Sequence, residues 1–130
     1  MHDYTFPATE RLKSRKIIST LFQKEKSKSF GAYPLRLVWI AMPEADPGII
    51  QVAFSVPKRS FRKANQRNTI RRRIKEAYRL HKNVIQSPVL DKAYGFMWIF
   101  TAKEEMNYQA IEKSMQLALQ RWIREHQTGG

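Results

Sequence analysis

Residues Lys58–Arg79 have the sequence KRSFRKANQRNTIRRRIKEAYR, the most strongly patterned stretch of the chain. Ten of these residues are lysine or arginine, and Glu76 is the only acid among them. From about Asn65 onward, apolar residues recur at the spacing of one helix face: Ile70, Ile74, Ala77 and Tyr78. The opposite side carries Asn68, Arg71, Arg72, Lys75, Arg79 and Lys82. The pattern predicts a helix with one face in a core and a cationic face toward solvent.

Further positive charge lies on the connection that leads into this helix, at Lys58, Arg59, Arg62 and Lys63. Free backbone N–H groups and the positive end of the helix dipole are expected at the same place, so a bound anion would meet both. A solvated helix face normally mixes charges of both signs. Because this face has almost no acid, the pattern favours contact with a nucleic acid.

The composition limits the class of protein. The chain has 130 residues, a net charge of +13, a pI near 10.3 and 42% hydrophobic residues, which predicts a single folded domain over residues 1–130. RNA, DNA or an anionic membrane surface would suit the charge. Cysteine is absent, which excludes disulfides, thiol catalysis and cysteine-based zinc sites. Met1–Glu10 lacks the apolar segment of a signal peptide, and Phe96–Phe100 is too short to span a bilayer, so we expect a cytoplasmic protein.

The remaining elements follow from local patterns. An extended arm over residues 1–12 precedes a helix from about Arg15 to Lys24, for which Ser14 is the predicted N-cap. Glu25–Ala32 is predicted to be a polar loop. Leu35–Met42 and Ile50–Val56 are predicted strands, joined by turn residues into an antiparallel hairpin. The basic helix should end near Gln86, followed by a loop over Ser87–Tyr94, a strand over Gly95–Thr101, a helix over Tyr108–His126 and a frayed tail over residues 128–130.

No active site is recognisable in the sequence. The three histidines, His2, His81 and His126, are far apart, and no carboxylate pair, Ser/His/Asp set or glycine-rich phosphate loop occurs. His81 falls on the apolar side of the basic helix, where packing is a better interpretation than metal ligation. We therefore expect no catalytic residue and no metal ligand in the protein itself.

Several stretches of the sequence resemble a known family. Arg67–Glu76, RNTIRRRIKE, is similar to the R-N-x-x-K/R-R signature of the bacterial ribonuclease P protein component. Ala53–Arg59, AFSVPKR, resembles the strand that precedes this signature, and Arg11, Leu12 and Phe22 match the family's N-terminal pattern. Two positions depart from the family pattern. Thr69 stands where the family often has a third basic residue, and Lys75 stands where it usually has arginine. The order of elements agrees over nearly the whole chain.

The resemblance implies both a fold and a function. The implied fold is α+β, with a mainly antiparallel central sheet, three helices in the order α-β-β-β-α-β-α and a left-handed β-α-β crossover through the basic helix. The implied function is that of an accessory subunit of ribonuclease P, the endoribonuclease that removes the 5′ leader of precursor tRNA. The RNA subunit, with Mg²⁺ bound mainly by that RNA, would carry out the chemistry. The implied partners are the catalytic RNA and precursor tRNA, with no membrane and no obligate protein partner.

The family's contacts can be assigned to residues of this chain. The basic pair Lys58 and Arg59, with Arg62 and Lys63, lies at the strand end, and the helix residues at the RNA contact would be Arg67, Asn68, Arg71, Arg72, Lys75 and Arg79. Candidates for the cleft that holds the leader are Phe22, Arg36 and Trp39, where aromatic rings could stack on bases. For Phe22 and Trp39, ordinary core packing is the alternative.

Three other functions stay open from the residues alone. The first is a structural RNA-binding protein, such as a ribosomal protein, on a similar basic scaffold. A protein-only nuclease would need clustered Asp or Glu ligands, and the chain has only 11 acids. A membrane-surface binder would need large apolar residues directed toward lipid, which here fit better in the core.

Overall fold

The computed structural model describes residues 10–86 and 90–126. Its elements in chain order are α1 (Arg15–Leu21), β1 (Lys28–Ala32), β2 (Leu35–Ala41), β3 (Ile50–Ser55), α2 (Ala64–His81), α3 (Asn83–Gln86), β4 (Tyr94–Phe100) and α4 (Tyr108–His126). The α+β class is confirmed, with four helices in these ranges where three were predicted. The left-handed crossover stays a prediction.

The sheet topology contradicts the predicted antiparallel hairpin of β2 and β3. Its strand order is β1-β2-β4-β3, so β4 lies between β2 and β3. β4 is antiparallel to β2 and parallel to β3. The turn residues between β2 and β3 suggested direct pairing, but β4 is the strand whose residues are apolar and buried almost throughout. A strand covered on both faces belongs at the centre of a sheet.

The predicted loop at Glu25–Ala32 is also wrong, because its second half forms β1. β1 pairs antiparallel with β2, with Phe30 opposite Leu37. As an edge strand it needs only one apolar anchor, and Phe30 is its buried residue. Because the other residues of β1 are polar or small, its sequence lacks the alternation that predicts a strand. The turn that joins β1 to β2 contains a cis peptide bond between Tyr33 and Pro34.

One face of the sheet is covered by α2 and α4. The predicted helical stripes are confirmed: Ile70, Ile74, Ala77 and Tyr78 of α2 are buried, as are Ile111, Met115, Ala118, Leu119 and Trp122 of α4. They meet the β2 residues Leu35, Leu37 and Trp39 and the β3 residues Ile50 and Val52 in one cluster. The cationic side of α2 is therefore held outward by a large apolar contact.

The other face of the sheet packs against α1 and holds a smaller cluster: Leu12, Leu21, Val38, Met42, Ala93 and Met97. Gly95 of β4 permits this approach, since a Cβ atom there would lie 3.2 Å from Cγ2 of Ile17. Ser14 is the N-cap, as predicted, and its Oγ accepts from the Ile17 N–H at 3.3 Å. Among the described helices, only α1 packs on this face.

The sequence placed the ends of α1 and α2 too late, and for α1 a local cause is visible. α1 ends at Leu21 rather than Lys24, and the Ser27 hydroxyl lies 2.9 Å from the carbonyl oxygen of Gln23 and 3.2 Å from that of Leu21. These contacts satisfy carbonyls that a longer helix would have bonded internally. α2 ends at His81, and the short α3 follows after Lys82.

The segment before α1 lies along the outer edge of β3. Arg11 forms an isolated parallel bridge with Val52, and the Leu12 N–H donates to the Val52 carbonyl at 3.1 Å. The Lys82 ammonium donates to both carboxylate oxygens of Glu10, at 2.7 and 3.0 Å. Most of the predicted arm, part of the Ser87–Tyr94 loop and the predicted tail lie outside the described residues.

Candidate nucleic-acid interface

The connection into α2 is a tight turn anchored by Phe61. The N–H groups of Ser60 and Phe61 both donate to the Pro57 carbonyl, each at 3.2 Å. Phe61 is buried, with its ring centroid 5.7 Å from that of Phe100. The predicted site residues Lys58, Arg59, Arg62 and Lys63 are all exposed on this turn. An apolar anchor therefore fixes a short segment that presents four positive charges.

Arg67 is used within the protein. Its Nη1 donates to the carbonyl oxygen of Phe61 at 2.8 Å and to that of Arg62 at 2.9 Å. The guanidinium thereby ties the first turns of α2 to the basic connection. Its remaining N–H groups are available to a ligand. Arg67 is thus a positioning residue by geometry, and its direct contact with RNA stays a prediction.

The following turns of α2 carry cations without acidic partners. Nη1 of Arg71 donates to Oδ1 of Asn68 at 2.9 Å, which orients the guanidinium without neutralising it. Arg72 is exposed and makes no hydrogen bond or ion pair with any residue in ranges 10–86 and 90–126. The predicted trio of Asn68, Arg71 and Arg72 therefore forms one surface patch with uncompensated charge.

The last turns of α2 differ from the prediction of a continuous unpaired cationic face. Arg79 forms a two-pronged hydrogen bond with the Glu76 carboxylate, at 2.9 and 2.8 Å. Arg73 lies on the flank of the helix, where it contacts Glu105 at 3.4 Å and the Met106 carbonyl at 2.8 Å. The predicted site residue Arg79 is thus held by an acid one turn away.

The opposite flank of this end is also paired. Nε2 of His81 lies 2.9 Å from Oε2 of Glu112, which joins α2 to α4. His81 is therefore packed at a helix–helix contact, as its position on the apolar side of α2 predicted.

Beside the unpaired turns lies a groove of about 290 Å³, here called the helix groove, lined by Arg11, Lys13, Phe54, Arg71 and Lys75 among others. Nζ of Lys75 lies 5.9 Å from the centroid of the Phe54 ring, within cation–π range. Burial, then the nearby charges of Arg71 and Arg11, lower the pKa of Lys75. Like charges are therefore crowded here without an acid to relieve them.

Sequence reasoning did not assign Arg11 and Lys13 to the site. A usable signal was present, because Leu12 is buried between two exposed cations in the alternation of a strand. What the sequence could not provide was the pairing with β3 that brings this segment beside α2.

A second groove, the Phe22 groove, lies on the sheet face that α1 leaves open. It measures about 400 Å³ and is lined by Leu21, Phe22, Lys24, Ser27, Ser29, Arg36, Val38 and Ile99. The Phe22 side chain is 59% exposed, as an aromatic platform requires. Nη2 of Arg36 donates to the Ser29 hydroxyl oxygen at 2.9 Å, which holds the guanidinium across the edge of the sheet.

A third groove, the strand-end groove, adjoins the Phe22 groove through the shared residue Ile99. It measures about 700 Å³, and its other lining residues include Arg59, Ser60, Thr101 and Lys103. Lys103 was not predicted as a site residue, since it follows β4 and meets Arg59 only through the parallel pairing of β3 with β4. Because they share Ile99, the two grooves outline one path, with Phe22 and Arg36 in the first groove and Arg59 and Lys103 in the second.

Trp39 is not part of this path. It is 6% exposed and lies on the opposite face of the sheet, with its ring centroid 5.4 Å from Phe30 and 6.5 Å from Trp122. The structure brings Phe22 and Arg36 together but places Trp39 in the core. Core packing, which the sequence left open for Trp39, is the interpretation that its burial supports.

Searches for a metal site and for a membrane span gave no candidates in the described ranges. Among residues 10–86 and 90–126, no group of three or more histidine or acidic side chains is placed to hold a metal ion. In the same ranges no helix combines the length and apolar character needed to cross a bilayer.

Comparison with known proteins agrees with the resemblance seen in the sequence. The Ribonuclease P family profile matches residues 6–123. A ribonuclease P protein component of Porphyromonas gingivalis strain ATCC 33277 is 33% identical over 123 residues, covering 88% of each chain. The protein of the same name from strain W83 is 32% identical over 113 residues, covering 85% of this chain and 81% of its own.

Solved structures support the fold. The ribonuclease P protein of Thermotoga maritima superposes with a TM-score of 0.65 at 20% identity, covering 86% of this chain and 96% of its own. That of Staphylococcus aureus gives a TM-score of 0.67 at 21% identity, covering 87% and 94%. At this identity the likeness concerns the arrangement of helices and strands alone.

Proposed function

Because the chain belongs to the ribonuclease P protein component family, we propose that it binds the catalytic RNA of ribonuclease P through the first half of α2 and the basic connection before it. One observation carries the proposal: Arg71 and Arg72 are fixed on a rigid helix, and no carboxylate among residues 10–86 and 90–126 neutralises them. Phosphate groups of a folded RNA would supply the missing negative charge. Family membership also favours this role over that of a ribosomal protein, which the residues alone left open.

The helix groove extends the proposed contact. A phosphate there would meet Arg11, Lys13, Arg71 and Lys75, which come from two separate segments. Burial is the main cause of the lowered pKa of Lys75, and the charges of Arg71 and Arg11 add to it; a bound anion would relieve the part that comes from repulsion.

We further propose that the 5′ leader of precursor tRNA runs along the Phe22 groove and the strand-end groove. Phe22 would stack on a base, while Arg36, Arg59 and Lys103 would contact phosphates along the path. Stacking and phosphate contacts are tolerant of sequence, as a protein that meets many different leaders requires.

The chemistry is assigned to the RNA subunit. Hydrolysis of a phosphodiester would use Mg²⁺ to activate water and to stabilise charge on the leaving oxygen. Among residues 10–86 and 90–126 no group of acidic side chains is placed to hold Mg²⁺, and the RNA subunit would hold the metal. The contribution of the protein would be to position the substrate and to offset repulsion between two RNAs.

Reconstitution tests the proposal. The protein alone should not cleave precursor tRNA, and added to the transcribed catalytic RNA it should raise the cleavage rate at low Mg²⁺. Arg71→Ala/Arg72→Ala should lose most of this stimulation, whereas Lys113→Ala/Arg124→Ala, an equal charge change on exposed residues of α4, should keep it. Equal stimulation by both variants would contradict the assigned interface, and cleavage by RNA-free protein would contradict the division of labour.

A further inference from the structure

A fourth groove, here called the α4 groove, lies at the end of the sheet where β4 begins and α4 ends. It measures about 430 Å³, and its lining includes Lys26, Lys28, Trp39, Lys92, Tyr94 and His126. The strand-end groove lies at the other end of β4, where β4 ends. β4 has seven residues, which separates the two ends by roughly 20 Å at about 3.3 Å per residue.

Three lysines converge on this groove from three different segments. Lys26 lies in the turn after α1, Lys28 opens β1, and Lys92 precedes β4. Within residues 10–86 and 90–126, none of the three ammonium groups forms a hydrogen bond or ion pair. Asp91 is exposed beside Lys92 but makes no ion pair with it. An isolated surface lysine needs no explanation, but three unpaired ones around one concavity form a binding site for an anion.

The floor of the groove is aromatic and rigid. The imidazole of His126 stacks on Trp122, with centroids 4.2 Å apart and planes 8° from parallel. Nδ1 of His126 lies 2.8 Å from the Trp122 carbonyl oxygen, which leaves Nε2 without a partner among the described residues. The imidazole is therefore held in place with one ring nitrogen available to a ligand.

The burial of the floor defines what the groove can recognise. Trp39 and Tyr94 are only 6% and 7% exposed, so neither can stack on a base or insert into lipid. An anionic membrane would need apolar side chains that project from the surface, and this surface is concave. Recognition is left to the lysines, which suit the phosphates of a nucleic-acid backbone.

From these observations we propose that the α4 groove binds backbone phosphates of a second RNA segment, separate from the one that α2 contacts. The inference rests on the proposed binding of ribonuclease P RNA and adds a contact at the opposite end of the sheet. The protein would then bridge two parts of the folded RNA rather than dock through one side. Contact by phosphate alone makes the groove indifferent to base sequence.

The absence of cysteine makes a direct test clean, since a single introduced cysteine is a unique attachment point. Iron-EDTA attached at Lys92→Cys and, separately, at Arg72→Cys would generate hydroxyl radicals in the complex with the transcribed catalytic RNA. Lys113→Cys, on an exposed position of α4, is the control. We expect RNA cleavage from residue 92 at nucleotides different from those cut from residue 72. Cleavage from residue 92 no stronger than from residue 113 would overturn the inference.

Salt dependence provides a second readout. Lys28→Gln/Lys92→Gln should flatten the slope of log affinity against log salt by roughly 1.4–1.8, at about 0.7–0.9 for each phosphate contact. Lys113→Gln/Arg124→Gln removes the same charge and should leave the slope within about half a unit of the original. All four residues are exposed, so the variants should fold.

The two failures are distinguishable. If Arg71→Ala/Arg72→Ala flattens the slope while the groove variant behaves as the control does, the α4 groove is not an RNA site and the proposed function stands. If neither variant changes the slope, binding through α2 fails, and the inference fails with it.

Discussion

The two halves of α2 are equally basic in sequence and opposite in their electrostatic environment. In the first half, Arg71 and Arg72 have no carboxylate partner in the part of the chain that the structure describes. In the second half, Arg79 is paired with Glu76, and Lys82 just beyond the helix is paired with Glu10. The fold therefore neutralises its own charge at one end of the helix and leaves it exposed at the other. The contrast indicates which end receives an external polyanion.

The largest expected effect is on the salt dependence of RNA affinity, and it tests the difference between the two halves of α2 directly. Arg71→Ala/Arg72→Ala should flatten the dependence of log RNA affinity on log salt by roughly 1.4–1.8, because two phosphate contacts are lost. Arg79→Ala/Lys82→Ala removes the same charge from the paired half and should change the slope by less than half as much. Titrations from low to high salt measure both. Equal slopes in the two variants would mean that the pairing seen here does not distinguish the halves.

The next effect concerns Arg67, the cation of the first half that the protein uses internally. Arg67→Lys should lower the free energy of unfolding by about 1 kcal/mol, since the lysine side chain is one bond shorter and its ammonium group does not reach the position from which Nη1 donates to both carbonyl groups. Urea denaturation measures the change. Arg72→Lys is the matched control and should stay within about 0.5 kcal/mol. If both variants lose the same stability, the two carbonyl contacts do not hold the connection.

A smaller loss is expected at the paired end. Glu10→Gln removes the carboxylate that contacts Lys82, whose side chain is only 18% exposed, and should cost about 1 kcal/mol or slightly less. Glu125→Gln breaks the more exposed pair with Arg121 and should cost little. Thermal unfolding of both variants measures the two losses of stability. A loss at Glu125 as large as that at Glu10 would remove the distinction between partly buried and exposed pairs.

The smallest expected effect is a gain, and not a loss, in the free energy of unfolding. Lys75→Met should stabilise the free protein by only a few tenths of a kcal/mol at neutral pH, because it removes a partly buried cation that Arg71 and Arg11 also repel, while solvent screens much of the effect. The lowered pKa of Lys75 penalises folding while the lysine is charged, and the penalty fades as pH rises from that lowered pKa to the ordinary lysine value. The gain in melting temperature should therefore shrink near about pH 10.

The same variant should bind RNA more weakly, so stability and affinity would move in opposite directions. A melting temperature that falls at neutral pH would contradict the crowding inferred for the helix groove.

The long periodic elements were predictable from the sequence because each one encodes its own pattern. The stripe of Ile70, Ile74, Ala77 and Tyr78 and the bounds of α4 emerged from the spacing of apolar residues alone. β1 was missed because one buried residue in a polar edge strand leaves no alternation to detect. The pairing of β2 with β4 was missed because strand order depends on which strand is buried on both faces, not on which strands are adjacent in sequence.

The candidate site was predictable where it lies within one helix and not where it is assembled from distant segments. Arg71 and Arg72 were identified from the motif, whereas Arg11 and Lys103 enter the grooves only through strand pairing. Of the partners that separate the two halves of α2, Glu76 lies only three positions from Arg79, whereas Glu10 is 72 positions from Lys82 and Glu105 is 32 from Arg73, so these two pairs could not be read from the sequence. Contact of each site residue with RNA stays a prediction.

The bridge between Arg11 and Val52 has a consequence for how this protein behaves at high concentration. The outer edge of β3 would otherwise offer unpaired backbone groups to a strand from another molecule, which is a common route to aggregation. The segment around Arg11 occupies part of that edge, and the ion pair between Glu10 and Lys82 holds this segment in place. Removing the first twelve residues should therefore favour self-association of the free protein.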